Sequence, residues 1–409
     1  MQQKILGING LGRIGKLTLW NQLVQGHFDQ FVVHLGREVG RSIDDLVHTV
    51  TLDSTYGSIH SFLYGRSGRQ ALIETSTGTG PEITIDGKKI RFLTEHRNPR
   101  DIPWKREGVR LVIDCTGTFL DPSLPEDHER GSIRGHLAGG ALHVIVSAPF
   151  KNSGTNLPPD SEMLLHGINH LNFNPETHRI ISAASCTTTA LSHMMKPLLE
   201  REETSRILTA SMSTVHAATN TQTILDSVPK AGSKDMRKNR SVLNNIIITS
   251  TGAANALEQV LPQIAEIGFM ADSVRIPINT VSLISLNVNF RTKLNEAGEP
   301  LISGDLINDI YREAAHGPLR GNLVYSDRQH VSADFLGTQA AAVIEGERTH
   351  CRTGFVDIPA EELSAMGIET DRDLRMPVTH SKIFGWYDNE YGYVNTLGKL
   401  AIHISQLSG

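Results

Sequence analysis

The stretch Lys4-Ile-Leu-Gly-Ile-Asn-Gly-Leu-Gly-Arg-Ile-Gly15 decides the fold of this chain. It begins as a short apolar run, Lys4 to Ile8, and turns at once into the pattern Gly10-x-Gly12-x-x-Gly15. Leu17, Leu19, Trp20 and Leu23 follow at helical spacing, so the segment reads strand, tight turn, helix. Each glycine has its own reason. The first makes the turn, the second lets backbone reach a pyrophosphate, and the third lets the helix lie close on the strand. Arg13 and Ile14 then open a helix whose unpaired N–H groups can receive that pyrophosphate. A purely structural glycine-rich turn is the competing reading; the strand before and the helix after favour a dinucleotide site.

Working outward, Phe31-Val-Val-His-Leu35 reads as the second strand. In a dinucleotide fold that selects NAD+ it ends in a carboxylate that holds the adenosine ribose. Here Gly36-Arg37-Glu38 follows instead. Loss of the carboxylate removes repulsion toward a 2′-phosphate, and Arg37 can bind one directly. The expectation is NAD+ or NADP+, leaning toward NADP+ or dual use, although an exposed loop arginine without a ligand fits the same residues. Ile83-Thr-Ile-Asp-Gly-Lys-Lys-Ile90 reads as a hairpin about an Asp-Gly turn. Val109 to Ile113 and Val144 to Val146 read as buried strands ending in Asp114-Cys-Thr-Gly117 and Ser147-Ala-Pro149. Thr116 and Ser147 thereby fall at strand ends, where such a sheet meets its cofactor.

The second informative stretch is Ser182-Ala-Ala-Ser-Cys-Thr-Thr-Thr-Ala190. Leu191, Met194, Met195, Leu198 and Leu199 fall at helical spacing after it, so Cys186 sits at a helix N-terminus. Unpaired N–H groups there stabilise a thiolate, the nucleophilic form of cysteine. A buried structural thiol is the alternative. Pro197 should kink this helix, at about 3 kcal/mol unless neighbours compensate. Ile207 to Val215 alternates as a strand and delivers His216, a candidate base. With 18 histidines in the chain, His216 carries little weight alone. Thr249-Ser-Thr-Gly-Ala-Ala254 supplies hydroxyls and small residues, and Val274-Arg-Ile-Pro277 places Arg275 on a strand. Hydroxyls, backbone amides and an arginine suit an anionic phosphate ester.

Composition sets the outer limits. A chain of 409 residues with 39% hydrophobic content suits two globular domains. The net charge of −5 offers no reason to expect nucleic acid or an anionic membrane as partner. No apolar stretch reaches the length of a membrane span, and the N-terminus reads as a strand start rather than a signal peptide. Cys115, Cys186 and Cys351 form no CxxC pair, which argues against a disulfide framework or a structural metal and for a reducing, cytoplasmic setting.

Taken in order, Asn9 to Gly15, Ser147-Ala-Pro149, Ala184-Ser-Cys-Thr-Thr188, Thr214-Val-His-Ala217 with Thr219-Asn220, Thr249 to Ala254, Arg275-Ile-Pro277 and Trp386-Tyr-Asp-Asn-Glu-Tyr-Gly-Tyr393 resemble the glyceraldehyde-3-phosphate dehydrogenase family from end to end. The resemblance implies an α/β protein: a Rossmann dinucleotide-binding domain plus an α+β catalytic domain with a mostly antiparallel sheet. It implies domains at 1–184, joined by the C-terminal helix 388–409, and at 185–387. It also implies a role for each matching residue. Cys186 would attack the aldehyde and His216 would act as base. Asn389 would fix the nicotinamide amide and Tyr393 would line its pocket. Thr219 and Arg275 would hold the substrate's phosphate, and Ser185, Thr187, Thr251 and Gly252 the attacking inorganic phosphate. The partners so implied are a phosphorylated aldehyde, inorganic phosphate and further copies of the chain in a homotetramer, in a reaction of glycolysis. The basic segment Ser227 to Asn245, with Lys230, Lys234, Arg237, Lys238 and Arg240, resembles the part that lies between subunits.

Departures accompany the match. Thr221 stands where the family usually has an acid, and Ala183 and Thr189 replace asparagines flanking the cysteine. The chain is longer than family norms around 338–380, which includes Gly346 to Arg352 and a helix-like Pro359 to Met366. Lys151 to Asp160 reads as a flexible loop. Two other functions fit such a divergent member. One is a dehydrogenase for another phospho-aldehyde such as erythrose 4-phosphate; the other is a catalytically weak binding or regulatory protein.

Overall fold

The structure, a computed structural model, describes residues 3–78, 80–151, 156–233 and 235–408. Residues 152–155 of the expected loop, and Lys234, lie outside the described residues. The chain divides into two compact units, Met1–Thr189 with Glu390–Gly409, and Ala190–Asn389.

The strands of the first unit are β1 (Ile5–Asn9), β2 (Gln30–His34), β3 (Leu52–Asp53), β4 (Gly57–Ser58), β5 (Ile73–Ser76) and β6 (Glu82–Ile85). They continue with β7 (Lys88–Leu93), β8 (Leu111–Asp114), β9 (His143–Val146), β10 (Ser161–Met163) and β11 (Ile180–Ser182). Apart from the small β3–β4 ribbon they join one sheet of order β10-β11-β9-β8-β1-β2-β7-β6-β5. From β10 to β7 every pairing is parallel; β6 and β5 turn back antiparallel. The hairpin joining β6 to β7 turns on Asp86 (φ 48°) and Gly87 (φ 80°), both left-handed, as an Asp-Gly turn demands.

Alternation along the strands explains why this sheet is covered on both faces. Phe31, Val33, Ile113 and Ile145 enter one core cluster, and Val32, Val112 and Val144 enter the other. The first cluster is closed by the helix Arg13–Gln25 and the C-terminal helix Tyr391–Leu407, through Leu17, Trp20, Leu397 and Ile404. Each such side chain, fully buried, contributes on the order of 1.5–3 kcal/mol. The two helices pack closely: a Cβ on Gly398 would meet the Asn21 amide oxygen at 2.3 Å.

The second unit holds β12 (Ile207–Ala217), β13 (Ile247–Ser250), β14 (Gly268–Ile276), β15 (Ser282–Arg291), β16 (Leu323–Ser326), β17 (Ala342–Glu345), β18 (His350–Ile358) and β19 (Leu374–Tyr387). Their order is β13-β14-β12-β15-β19-β17-β16, with β18 added along β19. β12–β14 and β16–β17 pair parallel and the other neighbours antiparallel, so the sheet is mixed and mostly antiparallel. Within 338–380, β18 and the first half of β19 form a hairpin joined through the short helix Ala360–Ala365.

The helix Cys186–Glu200 continues through Pro197. A proline there removes the N–H that would reach the His193 carbonyl, and the next carbonyl along, that of Met194, accepts from the buried Tyr311 hydroxyl at 2.8 Å. Among the described residues no helix is long and apolar enough to cross a membrane.

Candidate active site

In the first unit the register aligns the C-terminal ends of the central strands, pairing Asn9 with His34 and with Asp114, and Asp114 with Val146. The residues that follow are Gly10, Leu35, Cys115 and Ser147. The three motif glycines meet three different demands. Gly10 has φ 93°, closed by its N–H to the His34 carbonyl at 2.9 Å. A Cβ on Gly15 would fall 1.9 Å from the Gly10 carbonyl oxygen, so the helix can approach the turn only without one. A Cβ on Gly12 would meet nothing within 4 Å, so its backbone faces open space at the N-cap of Arg13–Gln25, where no side chain caps the helix. Open space, free helical N–H groups and a glycine backbone fit a dinucleotide pyrophosphate.

Arg13 offers that helix end its backbone together with Ile14, because its guanidinium is bound to Glu390 (Nε–Oε1 2.9 Å) and to Asp53. Thr116 is exposed beyond β8, its N–H and hydroxyl both donating to Asp114 (2.9 and 2.6 Å). Ser147 follows β9, its N–H bonded to the Asp114 carbonyl at 2.9 Å. Arg37 is exposed after β2 and has no ion-pair partner among the described residues.

Beneath the turn lies a buried polar network that the sequence pattern did not reveal. His34 Nδ1 donates to Asn9 Oδ1 (2.6 Å), and Asn9 Nδ2 donates to Asp114 Oδ2 (2.7 Å). Trp104 Nε1 donates to His136 Nδ1 (2.9 Å), which leaves the His136 proton on Nε2, directed at Asp114 Oδ2 (3.0 Å). Burial pushes the Asp114 carboxyl up, but its donors outweigh burial and hold it below the ordinary carboxylate range. Beside the same strand end Cys115 is pushed up to about 12, by burial and by Asp114, and is no nucleophile near neutrality.

Cys186 is the first residue of its helix, and Ser185 before it is the cap. The Ser185 hydroxyl accepts from the Thr188 N–H (3.1 Å) and lies 2.8 Å from the Thr188 hydroxyl. Ser185 thus organises the helix end that presents the thiol. Cys186 itself is half-buried and Thr187 is buried. Ala184 takes φ 51°, a left-handed bend that turns the chain from β11 into the helix, and its carbonyl accepts from the Tyr393 hydroxyl at 3.2 Å. Burial, with Cys115 and Cys186 near it, keeps Tyr393 protonated.

In the second unit His216 and Arg275 are register partners on the parallel pair β12–β14. The His216 ring is buried, and its Nδ1 lies 2.8 Å from the Ala217 carbonyl. The same nitrogen also faces Arg275 Nη1, which only donates, so an acceptor and a donor meet at one edge of the ring. The Arg275 guanidinium lies against the same edge of the ring and donates to the same carbonyl (3.1 Å). Burial first, and the guanidinium second, push the imidazole down to about 3, so His216 is neutral at physiological pH.

Asn389 belongs to the same unit. Its Oδ1 accepts from the Ser282 hydroxyl (2.9 Å), which itself accepts from the Ala217 N–H (3.1 Å). That leaves the amide NH2 as the group Asn389 can offer. Thr280 and Asp388 join this support, with the Thr280 hydroxyl donating to Asp388 at 3.0 Å. Between Thr280 and Ser282, Val281 adopts φ 66°, which for a β-branched residue is an outlier held in place by the Phe335, Ala340 and Val343 cluster. None of Thr280, Val281 and Ser282 stood out in the sequence; Asp388 lay within the Trp386–Tyr393 motif but without a role.

Thr219 lies in the exposed loop after β12, its hydroxyl 2.9 Å from that of Thr221 and donating to Gln222 (3.0 Å). Thr251 and Gly252 are not brought to the His216–Arg275 pair by the register. Ile247 faces Arg275 while Ser250 faces Asp272, so Thr251 follows four strand positions beyond Ile247, about 13 Å. Thr251 caps the helix Ala253–Val260, its hydroxyl accepting from the Ala253 N–H at 3.2 Å, and a Cβ on Gly252 would face open space.

Comparison with known proteins agrees across both units. Residues 4–122 match the family model described as glyceraldehyde 3-phosphate dehydrogenase, NAD binding domain, and residues 185–361 match that of its C-terminal domain. The chain is 34% identical over 400 residues to glyceraldehyde-3-phosphate dehydrogenase 2 of Streptomyces avermitilis, covering 98% of each protein. It is 32% identical over 406 residues to the glyceraldehyde-3-phosphate dehydrogenase of Ogataea parapolymorpha, again 98% of each. The cytosolic enzyme of that name from Chlamydomonas reinhardtii is 30% identical over 404 residues, 98% of this chain and 96% of its own.

Proposed function

Because the chain belongs to the glyceraldehyde-3-phosphate dehydrogenase family, we propose that it is a phosphorylating aldehyde dehydrogenase that converts glyceraldehyde 3-phosphate to 1,3-bisphosphoglycerate. His216 takes the Cys186 thiol proton, the sulfur adds to the aldehyde carbon as the C=O π bond opens, and the proton passes to that oxygen to complete the thiohemiacetal. Bound NAD+ or NADP+ supplies the acceptor for the hydride that leaves this carbon. His216 takes up the hydroxyl proton as the thioester forms. An oxygen of inorganic phosphate then attacks the thioester carbon, and Cys186 departs as thiolate. Gly10, Gly12, Gly15, Thr116 and Ser147 hold the dinucleotide, with Arg13 and Ile14 contributing backbone N–H groups; Arg37 meets a 2′-phosphate, and Asn389 and Tyr393 serve the nicotinamide end.

The pairing of His216 with Arg275 is the observation that carries this reading. A buried neutral base and a cation suited to a phosphate share one strand register. A phosphate dianion on Arg275 and Thr219 offsets the charge that helps depress the imidazole, so substrate binding strengthens the base it needs. Ser185, Thr187, Thr251 and Gly252 serve the incoming phosphate. Exposed Ile224, Leu225, Val228 and Ile246, around the basic segment, support assembly with further copies of the chain as a homotetramer. A cytoplasmic place and a role in glycolysis follow from the same reading.

The test is the rate of NAD+ and of NADP+ reduction by the purified protein with glyceraldehyde 3-phosphate, with and without inorganic phosphate, beside Cys186→Ser. Phosphate-dependent turnover that the variant loses is the expected result. Turnover without phosphate dependence, or an unaffected variant, sinks the mechanism. The Thr219–Thr221–Gln222 cluster, in place of the usual acid, favours testing erythrose 4-phosphate as a second substrate.

A further inference from the structure

The second unit has a cavity of about 540 Å³ at the opposite end of the sheet from His216. It is framed by the start of β12, the end of β15 and the start of β19, the last belonging to the extra hairpin. β12 has 11 residues, so Arg206, just before it, lies on the order of 30 Å along the strand from His216. The frame is hydrogen-bonded on each side: Arg291 N–H to the Arg206 carbonyl (3.0 Å), Thr292 N–H to the Pro377 carbonyl (3.3 Å), and Leu301 N–H to the Lys293 carbonyl (2.9 Å).

Two properties of the lining point to a ligand. Arg206, Arg291, Lys293 and Arg375 converge on it in a chain whose net charge is −5. Among the described residues the side chains of Arg206, Arg291 and Lys293 have no ion-pair partner. Arg375 is shared with Asp357 (3.5 Å) and stacks on Phe355. The acids on the rim are Glu202 and Glu203, of which Glu203 pairs outward with Arg201 (3.3 Å). The cavity is also apolar where the cations are not. Leu294, Leu301 and Leu374, all notably exposed for leucine, line it with Met376 and Pro377.

We propose that this cavity is a second ligand site, for an organic polyphosphate of nucleotide size. The arginines take the phosphates through bidentate N–H pairs, and the leucines cover the apolar body. The volume lies within the usual range for a small-molecule site. The cations come from three separated segments, so only the folded sheet assembles them.

Calorimetric titration of ATP, and separately of tripolyphosphate, into protein saturated with NAD+ and NADP+ tests this, since the dinucleotide site is then filled. One ATP per chain should bind, more weakly as salt rises. Arg206→Ala with Arg291→Ala should weaken ATP and tripolyphosphate at least about tenfold, with dinucleotide affinity unchanged as proof of folding. Leu374→Ser should weaken ATP and leave tripolyphosphate as it was. ATP binding that vanishes on saturation with dinucleotide, or that survives the double arginine substitution, overturns the site. An ATP affinity that Leu374→Ser does not change overturns the assignment of an apolar body.

Discussion

Each unit of this protein buries a histidine beside a charged group, and the two arrangements run in opposite senses. In the first, His136 faces Asp114, and Trp104, Asn9 and Thr116 supply hydrogen bonds around them. Donor meets acceptor and cation-former meets anion. In the second, His216 faces Arg275, a group of the same sign as its own protonated form, and both reach for one carbonyl. The first network is complete in itself and serves the stability of the strand ends under the dinucleotide turn. The second sets two groups of like sign side by side, so an anion bound there relieves their repulsion.

The largest effect should come from breaking the complete network. Asp114→Ala strands His136 and Asn9 in the interior, and denaturant unfolding should show a loss of about 3–5 kcal/mol. If stability holds, the network is not structural and the contrast fails. His216→Asn attacks the other side of the comparison. It should lower kcat/KM by at least about 10²-fold, or ~2.7 kcal/mol in the barrier, without lowering stability at pH 7. A variant that unfolds instead would place His216 among the structural histidines.

Acid sharpens the comparison further. Folded His216 titrates near 3, and an unperturbed histidine near 6.5. Between those values the unfolded chain binds a proton that the folded chain does not, so stability is fully present above 6.5 and falls with pH below it. Each pH unit should cost about 1.4 kcal/mol from this group, and His216→Asn should remove that part of the slope. Equal slopes in both proteins would mean that burial and Arg275 do not depress the ring. The smallest effect concerns Arg37, exposed and without an ion-pair partner among the described residues. Arg37→Ala should reduce the preference for NADP+ over NAD+ by about fivefold, or ~1 kcal/mol, in steady-state ratios. An unchanged ratio would make it an ordinary surface arginine.

Features written in adjacent residues were legible in advance. The Asp86-Gly87 turn, the demands on Gly10, Gly12 and Gly15, and the helix opening at Cys186 all follow from local backbone geometry. Pro197 shows the limit of local reading. The helix runs on through it to Glu200, and its turn there is packed by Tyr311, 114 positions away by number, whose hydroxyl reaches the carbonyl of Met194.

By itself, then, the sequence determined the dinucleotide turn, the two sheet types and the family, because each rests on short-range stereochemistry or on ordered motifs. Only the tertiary structure decided which charges meet. Asn9 with Asp114, His216 with Arg275 and Ser282 with Asn389 are separated by 105, 59 and 107 residues. Their protonation and orientation come from burial and from partners that chain separation conceals, since both depend on distance in space.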